Sequence, residues 1–439
     1  MIGDTQEGSA DTSANGRAAA RPATAPSVAA PAGSSAARPA PVPDRAHWGM
    51  LALAWLVYSG FGIISSSLPA LITPIRTELQ LTFSEVGIVL GAWQLVYIVV
   101  SYPAGMFVDR VGTHRALALG ALLVALSGLM RAFATDFTGL FLSVAIFGVG
   151  GPIISIGVPK VIASWFSGRP RVTAAGIYIT GSTTGSVLSL STTNSLVLPL
   201  LGSWQATCAV YGSIVVGIAI TWWLLARDPP KPPVRAGGAP AVSFREACMT
   251  VLTTKAVWLV VIVGFTGFMI NHGFRSWLPQ ILEFKGMSPS MAGYLAAMPG
   301  VASIAGSITT ARLAAKFGRK PVVAGCLITV GAALVGVNYL TGVPLILALA
   351  VQGFFAGGVT PILLTILMDM REVGAGAMGA AAGIYFAVGE VGGFSGPSVM
   401  GLLKDVTGGF TAGLLLLAAI TVIMLLPTSL LRDPRASQG

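Results

Sequence analysis

Three ionisable side chains stand inside or at the edge of long apolar runs, where an uncompensated charge at bilayer depth costs roughly 2.5 kcal/mol or more. Glu390 lies near the middle of Phe386-Ala387-Val388-Gly389-Glu390-Val391-Gly392-Gly393, too far from either end to reach water. It is expected to face a cavity as a proton acceptor or the partner of a cation; the alternative is a structural carboxylate held protonated or bonded to a neighbouring helix. Arg275 lies about one turn before Pro279, and its planar guanidinium suits carboxylate-like anions. The competing reading is a snorkelling anchor at the outer interface. Arg131 lies nearer that surface with Asp136 close behind, so it is either half of an exposed pair or a second anion contact.

Other chemistry is poorly represented. Cys208, Cys248 and Cys326 are far apart, as are His47, His114 and His272, with no CxxC or HxxxH spacing, so neither a disulfide framework nor a metal site is expected. No nucleophile elbow, phosphate loop or pair of catalytic carboxylates is present. The expectation is a protein that is not an enzyme and needs no cofactor.

The elements that carry these residues follow from composition. With 54% hydrophobic residues, 10% charged residues and a mean hydropathy of +0.80, the chain is built for lipid. A spanning helix takes about 20 apolar residues, and twelve such runs are expected near 48-70, 83-105, 116-134, 138-165, 172-197, 204-226, 255-280, 289-312, 320-341, 343-368, 376-398 and 410-431. The runs are continuous and do not alternate, which favours helices over a barrel. Residues 1-47, rich in Ala, Pro, Ser and Gly with no apolar segment like a signal peptide, read as a disordered cytoplasmic tail. Asp228-Pro229-Pro230-Lys231-Pro232-Pro233 marks 227-254 as a linker between bundles at 48-226 and 255-432, with 433-439 as a second tail.

The net charge of +10 reports orientation. With both termini in the cytoplasm, 21 of the 26 Lys and Arg fall on that side, leaving Arg76, Arg131, Arg275, Lys285 and Lys404 outside. That is the positive-inside bias, and no nucleic-acid partner is expected. The location implied is the plasma or bacterial inner membrane, with multiple passes.

The halves repeat one another. Gly105-Met106-Phe107-Val108-Asp109-Arg110-Val111-Gly112-Thr113-His114-Arg115 is partly echoed by Ala311-Arg312-Leu313-Ala314-Ala315-Lys316-Phe317-Gly318-Arg319-Lys320, an offset of 206 residues. Ser59-Gly60-Phe61 returns as Thr266-Gly267-Phe268, and Leu68-Pro69 as Leu278-Pro279. The Gly-x-x-x-Asp-Arg-x-Gly-x-x-Arg stretch resembles the signature loop of the major facilitator superfamily. Leu129-Met130-Arg131 and Gly157-Val158-Pro159-Lys160-Val161-Ile162 resemble the cyanate and 2-nitroimidazole porter group within it. The resemblance implies an all-α membrane protein of twelve transmembrane helices in two pseudo-symmetric six-helix bundles, rocking about a central site.

By that resemblance Asp109, Arg110 and Arg115 form a cytoplasmic gate. Lys316 and Arg319 are expected to keep anchoring charge without an equivalent latch, because Ala315 stands where the acid would be. Spans 1, 4, 7 and 10 usually line the cavity in the superfamily, which favours Tyr58, His272 and Gln352, with Gln94, Tyr385, Arg131 and Arg275 as further substrate contacts. Trp55 and Tyr97 read as packing groups, while Asn194 and Asn271 are further polar candidates. The glycines of spans 5 and 11, Gly185 and Gly396 among them, read as close-packing positions. The expected function is secondary active transport of a small organic or inorganic anion, by a monomer, with protons as coupling ion through Glu390. The alternatives are movement of an apolar or cationic compound, or a receptor that reuses the fold.

Overall fold

The structure, a computed structural model, describes residues 44–227, 244–370 and 373–431. Most of the expected tail 1-47 and linker 227-254, and all of 433-439, lie outside them. Where they are described, the tail and linker are already helical: the first helix begins at Asp44, and Phe244–Thr253 forms a short helix.

Twelve long helices carry the fold: α1 Asp44–Ala70, α2 Phe83–Val111, α3 Thr113–Arg131, α4 Phe137–Trp165, α5 Gly168–Thr192 and α6 Trp204–Leu225, then α7 Lys255–Phe284, α8 Pro289–Phe317, α9 Arg319–Tyr339, α10 Gly342–Met368, α11 Gly374–Thr407 and α12 Thr411–Ile423. With no water in the hydrocarbon, each backbone group must be paired within its own segment, which makes helices the available solution. Among the described residues, ten helices are long and apolar enough to cross a membrane, α12 only together with the short helix Leu425–Leu430 that continues it. The other two are rich in small residues, α5 in Gly, Ser and Thr and α11 in Gly and Ala, and both contact helices of both halves. Small residues let helices approach closely, and that role displaces the bulky apolar residues that make a span conspicuous.

Helix starts and stops are local. Thr82 and Glu85 form a capping box on α2, with the Thr82 hydroxyl accepting from the Glu85 amide and the Glu85 carboxylate from the Thr82 amide. Asp136, Ser203 and Ser288 cap α4, α6 and α8. Gly112 and Gly318 break the chain between α2 and α3 and between α8 and α9, at φ of 90° and 92° with extended ψ. Essentially only glycine adopts that backbone, which explains why glycine recurs at the 206-residue offset.

Packing repeats in the same register. In the first half α1 packs on α5, α4 lies against α2 and α3, and α3 packs on α6; in the second, α7 packs on α11, α10 lies against α8 and α9, and α9 packs on α12. A Cβ at Gly185 would fall 2.0 Å from the Ser59 carbonyl of α1, and one at Gly396 2.2 Å from the Met269 carbonyl of α7. The halves meet along α2 with α11 and α5 with α8.

At the end opposite the termini one apolar core draws on both halves, from Leu71, Ile72 and Leu90 to Phe274, Trp277, Leu278 and Met400. Toward the terminus-bearing end the cores separate, one around Val57, Val158 and Trp222 and the other around Val260, Ile362 and Leu363. The molecule is therefore sealed at one end and divided at the other.

Candidate functional site

Below the shared core lies a cavity of about 210 Å³. The first half supplies Ser65 and Ser66 from α1, Trp93 from α2, Arg131 from α3, Phe147 from α4, and Ser182 and Ser186 from α5; the second supplies Asn271, His272, Arg275 and Ser276 from α7. Ser65, aligned with Arg275 through the Leu-Pro repeat, lines the same cavity from the other half. Duplicated positions thus converge on one space.

Arg275 lines this cavity. It is half-buried in the cavity wall, and its Nη2 lies 3.8 Å from where a Cβ at Gly300 would sit, with Thr183 of α5 beside the same point. Arg131 departs further from the exposed pair considered above. Asp136 caps α4 through the Gly139 amide at 2.7 Å, while Arg131 is 2% exposed and turned inward. Its Nη1 donates to the Ile64 carbonyl at 2.8 Å and the Ser67 hydroxyl at 3.1 Å, its Nη2 to Ser127 at 3.3 Å, and its buried Nε has no acceptor.

A second cavity of about 200 Å³ shares Asn271 and His272 as a common wall and continues into the second half past Phe268, Leu327, Val330 and Thr360. His272 stands edge-on to Trp93 at 5.5 Å, which places it on the boundary between halves.

Beside His272 but outside both linings lies Glu390. A Cβ at Gly393 would fall 2.9 Å from Glu390 Oε2, 3.1 Å from His272 Cδ2 and 3.2 Å from Gln94 Cγ. Gln94 is fully buried, and its Nε2 donates across the interface to the Gly393 carbonyl at 3.5 Å. Gln94 Oε1 and Glu390 Oε2 are both buried without a hydrogen-bond partner.

Other expected contacts lie elsewhere. Gln352 is buried in α10 outside both linings. Tyr385 faces its own bundle against Gly264, with Phe268 and Phe386 at 6.1 and 5.4 Å. Tyr58 stacks on Phe61 at 5.7 Å and meets Tyr178 at 5.9 Å; Phe61, not Tyr58, lines the first cavity. Asn194 donates to the Ala70 carbonyl at 2.9 Å, and its own carbonyl accepts from Ser290 of the other half at 3.0 Å. Trp55 donates to Thr180 and Tyr97 bonds with Ser155, as packing groups do.

At the terminus-bearing end Asp109 pairs with Lys160 of its own half at 2.6 Å, and Arg110, Arg115 and Lys316 are exposed. Arg319 pairs with Asp369, the residue that caps the C-terminus of α10, and donates to the Thr365 carbonyl at 3.1 Å. The acid missing at Ala315 thus has a counterpart from another helix, which the local repeat does not reveal. At the sealed end Asp405 of α11 accepts from the Phe83 amide at 3.0 Å and from the Ser84 amide and hydroxyl at 2.7 and 2.6 Å. Thr73 donates to Glu283 at 2.5 Å and accepts from Gln280 at 2.6 Å. Asp405, Thr73 and Gln280 were not anticipated from the sequence, because their partners lie more than 200 residues away.

Comparison with known proteins supplies the relationship. The chain is 25% identical to a putative tartrate transporter of Agrobacterium vitis over 82% of this chain and 88% of the relative. It is 26% identical to the D-galactonate transporter of Escherichia coli, over 80% and 87%, and 23% identical to the hexuronate transporter of Bacillus subtilis, over 79% and 86%. Among solved structures, a bacterial homologue of the human lysosomal transporter Spinster in an inward-facing, unoccupied conformation superposes with a TM-score of 0.69 at 16% identity, covering 89% of this chain and 97% of that one. The sequence description of the Major Facilitator Superfamily matches residues 50–288 and 281–439. With that match across both halves, the chain belongs to the Major Facilitator Superfamily.

Proposed function

We propose that the protein moves a small organic anion, a carboxylate, by alternating access between two bundles. The observation that carries this reading is the central cavity, walled by Arg131, Arg275 and His272 with no acidic side chain among the described residues lining it. Paired guanidinium groups in a low-dielectric site favour an anionic guest, and the hydroxyls of Ser66, Ser182 and Ser276 supply further hydrogen bonds to it. Three relatives are named for tartrate, galactonate and hexuronate, all carboxylates, and this outweighs the narrower likeness to cyanate and nitroimidazole porters.

In this reading the termini are cytoplasmic, so the divided end opens to the cytoplasm and the sealed end faces out. Asp109, Arg110, Arg115, Lys316 and Arg319 then belong to the gate that is open here. The pairing of Asp109 with Lys160 and of Arg319 with Asp369, each within its own half, fits a latch made in only one of two conformations. Glu390 is the candidate for proton coupling, and a monomer holds the whole pathway.

Counterflow in proteoliposomes at clamped pH tests the proposal. Labelled tartrate, galactonate, glucuronate and short monocarboxylates form one panel and organic cations of similar size another. At least one carboxylate is expected to exchange, with Arg275→Ala suppressing it. Exchange of cations alone, abolished by Glu390→Gln and untouched by Arg275→Ala, would replace this reading with a cation transporter.

A further inference from the structure

The cluster around Gly393 lies next to the anion cavity and takes no part in lining it, except through His272. Two of its oxygens, Gln94 Oε1 and Glu390 Oε2, are buried acceptors with no donor. A buried acceptor left unpaired costs about 1–3 kcal/mol, and these two belong to side chains that both approach Gly393, from helices of opposite halves, so the cluster is short of a donor. A proton on Glu390 would give the cluster the O–H donor that it lacks.

We propose that Gln94, His272 and Glu390 form a proton-binding node across the α2–α11 interface, and that His272 connects its occupancy to the anion in the neighbouring cavity. The inference rests on the anion-transport reading and names the coupling site within it. Protonation adds a hydrogen bond between the halves at mid-depth, so the node holds α2 against α11 when occupied and releases it when empty. The proton is taken from the compartment the cavity faces and given up to the other, with no covalent bond made or broken besides the O–H itself.

Facing groups restrict the alternatives. From α2 these are Gln94 and Tyr97, the latter already bonded to Ser155; from α7, His272 with Arg275 one turn beyond; on α11 itself, Tyr385. Glu390 is the acid of the group, and His272 is the member that touches both cavities. A proton at Glu390 is therefore read by the guest through the imidazole, which makes His272 a positioning residue for coupling as well as a cavity wall.

The test separates coupling from carriage. In proteoliposomes loaded with a pH-sensitive dye, with sodium replaced by potassium, two quantities are measured for the carboxylate that exchanges fastest: equal-pH counterflow, and uphill accumulation driven by an acid exterior with its accompanying proton influx. Both Glu390→Gln and His272→Gln are expected to lower the ratio of accumulation to counterflow by about tenfold, within the usual range for coupling between sites, and to remove the anion-dependent proton influx. Glu390→Gln keeps the side chain's shape, which guards against misfolding, and the counterflow rate of each variant reports that it has folded. Acid-driven accumulation that survives Glu390→Gln overturns the node. So does a His272→Gln protein in which accumulation and counterflow fall in the same proportion, because His272 is then only a wall. Wild-type vesicles that exchange carboxylates without any proton influx also refute it while leaving the transport reading intact; vesicles that exchange none of the carboxylates refute both.

Discussion

Arg275 and Arg131 share a cavity but hold different jobs. Arg131 spends its two terminal nitrogens on Ile64, Ser67 and Ser127, tying α3 to α1, so its removal costs packing as well as charge. Arg275 donates no hydrogen bond to protein among the described residues and has its fork free for a guest. Arg275→Ala is therefore expected to raise the half-saturating concentration for carboxylate counterflow by about 10- to 100-fold, the loss of a charge-assisted bond worth roughly 1.5–3 kcal/mol. Arg275→Lys should recover charge but not the fork, and so only part of the affinity. Equal affinity in Arg275→Ala and wild type would remove Arg275 from the anion site. Both arginines are legible in the sequence as charges in or beside apolar runs, whereas the failure of Gln352 and Tyr385 to reach either cavity is not. Their burial is evident from the surrounding apolar residues, but which way each points depends on the rotation of α10 and α11 about their axes, which only packing against neighbours decides.

At the scale of elements, the seal depends on a helix start in one half meeting a helix end in the other. With 34 residues, α11 extends about 51 Å, beyond a hydrocarbon core of about 30 Å, and Asp405 lies past the apolar span 376-398. There it faces the first amides of α2, where the helix dipole favours an anion. Burial alone would raise the Asp405 carboxyl, but the Ser84 hydroxyl, the Ser84 and Phe83 amides and the charge of Arg76 outweigh it and hold it below the usual carboxylate range. Because the sealed state depresses this group, its contribution to sealing is complete above the ordinary carboxylate value of about 3.9 and is lost as pH falls through the lowered one. Asp405's own contribution to the sealed population, read in a Glu390→Gln background so that the α2–α11 node does not titrate, is thus expected to be flat from neutral pH to about pH 5 and to fall below about pH 4. Asp405→Asn should weaken the seal at neutral pH by about two- to fivefold, corresponding to 0.3–1 kcal/mol for an exposed anion at a helix start. Labelling of a cysteine placed at Ser276, in the cavity wall, by an impermeant reagent applied from the sealed side measures both, and labelling that is unchanged in Asp405→Asn would show that the shared apolar core seals alone. None of this was legible in the sequence, although the capping box Thr82-x-x-Glu85 and the glycines at 112 and 318 were available there, because local motifs govern helix ends while the partners of those ends are chosen by the fold.

At the scale of the whole molecule, duplication makes the two bundles similar and the few departures from symmetry make them a machine. The matching glycines and helix contacts give each half the same internal packing, while Arg275 against Ser65, and Asp109 against Ala315 with Asp369 brought in from the C-terminal cap of α10, give the halves unequal chemistry. The repeat itself was readable from the 206-residue offset, and the twelve runs from hydropathy, since lipid demands both continuity and length. A unit that rocks must break its contacts at the sealed end to open there: Asp405 from α2, Thr73 from Gln280 and Glu283, and Asn194 from Ser290. Joining Ser84→Cys to Asp405→Cys with a short bifunctional reagent should therefore stop counterflow while leaving the cavity open at the divided end, so that a labelled carboxylate still binds the joined protein in detergent. The reagent applied to either single variant supplies the control for modification alone. Full counterflow through the joined protein would mean that the guest crosses without parting α2 from α11, and two rigid bundles rocking about one cavity would no longer describe how this chain works.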